Sequence, residues 1–385
     1  MASARHTSGQ PAWPDVSING VSRVIAPLPR AALFLLAATL IACSDATAPP
    51  AEGPIDVADA WLRTNPADAG MDAALLDAAT RDAADIPRFR SLLVARYGRL
   101  VLEQYFGGAT VNTLHDVRSV TKSVVSLLTG IAQVEGFLPN LDASIGEFLD
   151  GDYALDDEDR AVTLRDLLTM TSGYSWNENS GNDYDLWVAA FDHVQFVLDR
   201  PHAASPGQQF TYNSGAVHML SVALEHATGM SLPAFAQRYL FDPAGITTVH
   251  WEQFADGHVN GAAGIQLRAR DLLRLGQLVL QNGVSGSRQI VPAAWIGMST
   301  TPAFSSRSPV GDQAGVSYGY LWWTVDAPRA FFAWGYGGQY LYVVPARDLV
   351  VLVTAEWQGL TPEELDAMYV ATFNVIVDDV VPAAR

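Results

Sequence analysis

This chain of 385 residues has one lysine, one cysteine, and no apolar stretch long enough to cross a bilayer as a helix. Each scarcity excludes something. A lone cysteine, Cys43, allows neither an internal disulfide framework nor a thiolate-based metal site. The eight histidines fall into no His-x-His or His-Glu-x-x-His spacing, so neither a metal nor another cofactor is expected. Only 23 basic residues stand against 41 acidic ones, for a net charge of −18, and no Lys/Arg-rich run is present. Nucleic-acid binding is set aside, because nothing here would neutralise a phosphate backbone. What is abundant is apolar: 49% hydrophobic against 17% charged residues describes a globular protein, and the length suits two domains sharing a large core.

The first 55 residues read as targeting sequence. Arg23 and Arg30 precede a twelve-residue apolar run, Ala31 to Ala42, which suits a signal h-region and is too short to span a membrane. It ends in Leu40-Ile41-Ala42-Cys43, which resembles a bacterial lipobox. That resemblance implies a signal peptide over 1–43 and a lipid on the Cys43 thiol, with several acyl chains giving stable anchoring. Residues 44–55 would then be a polar tether. The expected location is the periplasm or cell surface of a bacterium, held to a membrane. Residues 1–22 do not read as a signal n-region and carry no chemistry.

Helical spacing is expected over Met71–Ala84, followed by two strands in Ser91–Tyr105 hinged at Tyr97-Gly98. Strand-like runs return at Gly319–Val325, Phe331–Gly335 and Gln339–Thr354. Thr361-Pro-Glu-Glu then opens a closing helix with a capping threonine and proline at its first position. Between these lie helical stretches at Ser123–Val134, Leu164–Met170, Val217–Ala227 and Ala269–Leu280. A hairpin alone is marginal. The economical topology is therefore α+β: one antiparallel sheet flanked by helices, built from residues 56–110 and 301–385, with a mostly helical domain, 111–300, inserted between them.

Of the basic residues, 22 are arginine, and the one lysine is Lys122. Arginine supplies charge but cannot give up a proton near neutral pH, whereas a lysine can be turned into a base by burial or by neighbouring charge. Ser119 stands three residues earlier. If a helix starts there, the two side chains share a face, and the amine can take the proton of the hydroxyl. The backbone N–H groups of the helix start, including that of Ser119, can face a developing oxyanion.

From about Ser91 to Thr354 the chain resembles the serine β-lactamase-related hydrolases, a family with class C β-lactamases, D-alanyl-D-alanine peptidases, esterases and 6-aminohexanoate-dimer hydrolases. The matching pieces come in order: Arg96-Tyr-Gly-Arg99, Ser119-Val-Thr-Lys122, Thr163 to Gly173, Pro206 to Gly215, and Gly335 to Pro345. The resemblance implies a β-lactamase/transpeptidase-like fold, Ser119 as nucleophile, Lys122 as base, and Tyr212 as the phenol passing the proton to the leaving group. It places the second oxyanion donor at the Tyr336 amide and substrate contacts at Ser214, Trp334, Gly335 and Tyr336. Two departures matter. Tyr212-Asn213-Ser214 carries a shorter side chain where the family has asparagine. Ala333-Trp334-Gly335 lacks the cation that helps hold a substrate carboxylate in the β-lactamase and peptidase members. An ester or amide hydrolase is therefore expected rather than a penicillinase, acting on a small molecule. Trp176, Tyr184, Trp187, Trp334 and Tyr336 could wall an acyl group, although the first three suit core packing equally.

The sequence offers two other readings. Gly315-Val-Ser-Tyr-Gly319 matches the nucleophile elbow of α/β-hydrolases, but an aromatic run follows instead of a helix, and no histidine comes after His258. The loss of the cation also suits a catalytically inactive or weak penicillin-binding-like lipoprotein. Retention of Ser119, Lys122 and Tyr212 together argues against a pure binder.

Overall fold

The computed structural model describes residues 53–304, 316–326 and 329–385. Cys43 and the whole signal segment lie outside the described residues.

A seven-stranded, wholly antiparallel sheet organises the chain. Its strands are β1 (Phe89–Arg96), β2 (Arg99–Tyr105), β3 (Val316–Tyr318), β4 (Trp323–Asp326), β5 (Arg329–Gly335), β6 (Gln339–Val344) and β7 (Leu349–Ala355), in the spatial order β2-β1-β7-β6-β5-β4-β3. The N-terminal hairpin closes on the C-terminal strands through β1 and β7, with Leu93 opposite Leu352. The hairpin turns at Tyr97 and Gly98, both left-handed, as a two-residue turn matching strand twist requires. All seven residues of β7 and all six of β6 are buried. Continuous apolar strands of this kind mean that both faces are covered, and they are.

On one face lie α1 (Ala73–Asp85), capped by Asp72, and the C-terminal α7 (Pro362–Asn374) with its extension to Ala383. Thr361 caps α7 as expected, and the Glu364 side chain accepts from the Thr361 N–H in return, closing a capping box. The other face carries α2 (Val120–Val134) and α6 (Ala269–Leu280). Gly276 lets α6 lie close to the sheet, since a Cβ there would meet Val350 and Leu341 at 2.6 and 2.7 Å. Beside α2 lies α5 (Ser214–Thr228), and α3 (Leu164–Leu168) and α4 (Asp183–Val188) pack on α5. A small three-stranded sheet, Leu114–Asp116, Ile265–Arg268 and His250–Trp251, leads directly into α2.

Two boundaries differ from expectation. Gly319–Val325 is not one strand: Leu321 adopts φ 61°, its N–H bonded to Leu168 and its carbonyl accepting from Ser123. Gln339–Thr354 is two strands, separated by a turn at Pro345–Arg347 and the left-handed Asp348.

Candidate active site

The α2 helix is buried along nearly its whole length, its polar Thr121, Lys122, Ser123, Ser126 and Thr129 included. Its start is held from below: the Val117 N–H bonds the Ile265 carbonyl, and the Arg118 N–H bonds Asp116 Oδ1. Arg118 has φ 49°, a left-handed conformation that costs an arginine about 1 kcal/mol or more. Met170 and Leu321, whose backbones bond segments touching the same helix start, are also left-handed. Such strain clusters at functional sites.

Ser119 is the N-cap residue, one position before the helix proper. A serine there usually spends its oxygen on the helix N–H groups. Ser119 makes no such cap bond. Its Oγ lies 2.8 Å from Lys122 Nζ instead, and it also bonds the Tyr212 phenol. The Lys122 N–H to Ser119 carbonyl bond, 3.0 Å, makes the first turn tight and brings the two side chains onto one face.

Lys122 is 1% exposed. Its Nζ contacts Ser119 Oγ at 2.8 Å, Ser214 Oγ at 2.9 Å and the Ala262 carbonyl at 3.0 Å, and lies 5.0 Å from the Tyr212 ring centroid. Burial pulls its pKa down to about 8, against the opposing pull of the Glu178 charge and with help from Arg118. At pH 7 about one molecule in ten, and at pH 8 about half, then carries the neutral amine a base requires.

Tyr212 reaches the site from a segment tied down by the Thr211 N–H to Met170 carbonyl bond and by Asn213, whose side chain caps α5 through the Ala216 N–H. Its ring stacks on Trp323 with centroids 6.0 Å apart. Burial first, and the Glu178 charge second, push its pKa well above the usual phenol range. The phenol stays protonated, and so it suits proton relay rather than service as an anionic base.

Ser214 is fully buried. Rather than standing open to substrate, its hydroxyl meets Lys122 on one side and donates to Glu178 Oε1, 2.8 Å away, on the other. Glu178 Oε2 accepts from the Ser214 N–H at 2.8 Å and from Trp176 Nε1 at 2.6 Å. Glu178 escaped the sequence reading, since nothing in its loop marks it, and so did Arg118. The Arg118 guanidinium lies 5.4 Å from the Tyr184 ring and 5.3 Å from the Trp357 ring and donates to the Tyr184 hydroxyl.

The facing wall is the end of β5. Gly335 is required there: a Cβ would sit 2.2 Å from the Val117 carbonyl, so the strand packs directly on the turn before Ser119. Ala333, where the family cation is expected, is buried. Trp334 is 6% exposed and packs on Trp323, Tyr340 and Tyr369, while the half-buried Tyr336 ring packs on Trp357 and Tyr369. Trp187 is core, against His193, His218 and Phe254. Trp176 serves Glu178, and of the tryptophan pair Trp322 packs on Phe331 while Trp323 carries Tyr212. Among the described residues, no group of three or more His, Cys, Asp or Glu side chains is placed to hold a metal ion.

Comparison with known proteins bears on this geometry. The Beta-lactamase family model matches residues 90–373. The 6-aminohexanoate-dimer hydrolase of Paenarthrobacter ureafaciens is 25% identical over 297 residues, covering 69% of this chain and 72% of that protein. Among solved structures, the octameric penicillin-binding protein homologue of Pyrococcus abyssi superposes with a TM-score of 0.64 at 17% identity, over 81% of this chain and 78% of that one. D-alanine carboxypeptidase AmpC of Burkholderia cenocepacia gives a TM-score of 0.58 at 19% identity, over 79% and 99%. These two likenesses show a shared fold.

Proposed function

The chain belongs to the Beta-lactamase family and is a hydrolase of that family, and from that premise we propose that it cleaves linear esters or amides through an acyl-enzyme on Ser119. Ser119 Oγ attacks the carbonyl carbon as its proton passes to Lys122 Nζ. Tyr212 delivers its proton to the departing alcohol or amine and takes the one held on Lys122 in exchange, so that the amine is again neutral, and the backbone amides of Ser119 and Tyr336 hold the oxyanion. Water then attacks the ester carbon and releases the acid, Ser119 recovering its proton.

One observation carries the reading: a buried, partly neutral lysine 2.8 Å from a serine hydroxyl that caps nothing. Preference for a linear amide or ester over a β-lactam rests on Ala333, which offers no cation to a penicillin carboxylate. A relative named for hydrolysing the 6-aminohexanoate dimer supports the amide arm. The test is a panel of 6-aminohexanoate dimer, short p-nitrophenyl esters, nitrocefin and D-alanyl-D-alanine, run with wild type and Ser119→Ala. Turnover of the first two, lost in the variant, is expected; best turnover of nitrocefin or the dipeptide would overturn the substrate assignment. A non-catalytic penicillin-binding role, which the missing cation also suits, would instead leave Ser119 unlabelled by a fluorescent phosphonate.

The reading includes attachment to a bacterial membrane through lipid on Cys43. Cys43→Ser is expected to release active enzyme into the soluble fraction, and retention at the membrane would count against the anchor.

A further inference from the structure

Lys122 Nζ has three neighbours, and their chemistry settles which of them can accept. The Ala262 carbonyl can only accept, so one N–H belongs to it. The Ser214 hydroxyl has a single proton, and that proton is donated to Glu178 Oε1. It cannot turn round while Glu178 is a carboxylate, which accepts on both oxygens: Oε1 from this hydroxyl, and Oε2 from the Ser214 N–H and the Trp176 indole N–H, neither of which can accept anything. Ser214 Oγ must therefore accept from Lys122. With two N–H bonds so committed, the remaining tetrahedral position of the neutral amine faces Ser119 Oγ at 2.8 Å.

We propose that Glu178 is a positioning residue which, acting through Ser214, aims the lone pair of neutral Lys122 at the Ser119 proton and steadies the ammonium once that proton has moved. The proposal rests on the acyl-enzyme reading of the site. In the step itself the Ser119 O–H bond breaks, an N–H bond forms on Lys122 and the Oγ–carbon bond forms. Glu178 and Ser214 keep their own protonation throughout. Glu178 is 7% exposed, and it lies 36 residues before Ser214 in the chain, so its carboxylate is buried for the sake of these contacts rather than carried in by local structure.

Glu178→Gln separates this role from simple packing. Two N–H donors on the Oε2 side would draw the amide oxygen there, leaving the amide NH2 facing Ser214. The hydroxyl would then have to turn its proton toward Nζ and occupy the lone pair. Charge is lost as well. The charged and titratable groups around Lys122 are Glu178, Arg118 and Tyr212, and of the two whose charge bears on it, Glu178 favours the ammonium and Arg118 opposes it.

Because Lys122 is the only lysine, the full chain grown on [13C]lysine gives one lysine Cε resonance whose titration reports this side chain alone. In Glu178→Gln the midpoint is expected to fall by about one unit or more. The acid limb of kcat/KM for a p-nitrophenyl ester should move with it, and the plateau should drop at least ~10-fold. An unmoved midpoint overturns the proposal. A wild-type midpoint at the ordinary lysine value would instead sink the lysine-base reading beneath it, so the two failures are distinct. Ser214→Ala, a smaller change that keeps the carboxylate with both N–H donors, covers the case in which Glu178→Gln does not fold. Its kcat is expected to fall at least ~10-fold with KM little changed, and a rate within twofold of wild type overturns the relay.

Discussion

Lys122→Arg retains the positive charge and a long apolar stem and removes only the ability to become a neutral base. At pH 8, with the lysine midpoint at about 8, roughly half the molecules carry a free amine lone pair. An arginine at its ordinary value of ~12.5 would be neutral in only about three molecules in 10⁵, and a guanidinium has no lone pair to offer Ser119. The expected loss in acylation is thus at least ~10⁴-fold at pH 8. The assay is the rate of Ser119 labelling by a fluorescent phosphonate, with p-nitrophenyl ester hydrolysis alongside, from pH 6 to 10. Circular dichroism would confirm that the variant is folded. Wild type should gain activity as pH rises through about 8, because the competent form is the deprotonated one. An arginine variant within tenfold of wild type, or a wild-type profile flat between pH 6 and 9, would refute the assignment of Lys122 as base.

Tyr212→Phe removes the phenol that bonds Ser119 and should lower kcat at least ~10²-fold, read in steady-state ester turnover; a near-normal kcat would take Tyr212 out of the mechanism. Gly335→Ala places a Cβ 2.2 Å from the Val117 carbonyl, and displacing β5 from the nucleophile turn should cost about 10²-fold in kcat/KM, whereas wild-type activity would show that the strand can move without consequence. His258, whose pKa is raised chiefly by its hydrogen bond to Glu225, gives stability that is complete below the ordinary histidine value and fades as pH rises through its folded value. Thermal melts should therefore show a larger gap between wild type and His258→Gln at pH 6 than at pH 9, and an equal gap at both would mean that the bond adds no charge-dependent stability.

Much of the architecture could be read from the sequence because its signals are local. Alternating and continuous apolar runs mark the strands of the N-terminal hairpin and the C-terminal meander, and the incompleteness of a lone hairpin is enough to expect its closure onto the C-terminal strands; the structure makes that closure between β1 and β7, with Leu93 opposite Leu352. The Thr361 box and the full extent of Ala269–Leu280 followed from capping and periodicity. Of the two errors, the split of Gln339–Thr354 falls at the local turn of Pro345, and the other falls where distant partners override the local pattern. Leu321 breaks an apolar run because its carbonyl serves Ser123 and its N–H serves Leu168, contacts nearly 200 and more than 150 residues away in the chain, and no spacing rule sees them.

The site divides along the same line. Ser119 and Lys122 lie one helical turn apart, and in a chain that otherwise uses arginine the lysine marks itself. Glu178 has the opposite problem: it is one of 41 acidic residues, and its importance lies in the two donors of Ser214 that folding brings to it, beside the neighbouring Trp176 indole. Rarity makes a residue legible when a chain avoids its type elsewhere, and abundance conceals it. Ser214 shows the consequence, because its hydroxyl was read as facing the substrate in place of an asparagine amide. With Glu178 behind it, the same hydroxyl has its proton already committed and can only accept. A shorter side chain at this position fits that geometry, because a single serine oxygen fills the gap between Lys122 Nζ and Glu178 Oε1, at 2.9 and 2.8 Å, accepting from the first and donating to the second.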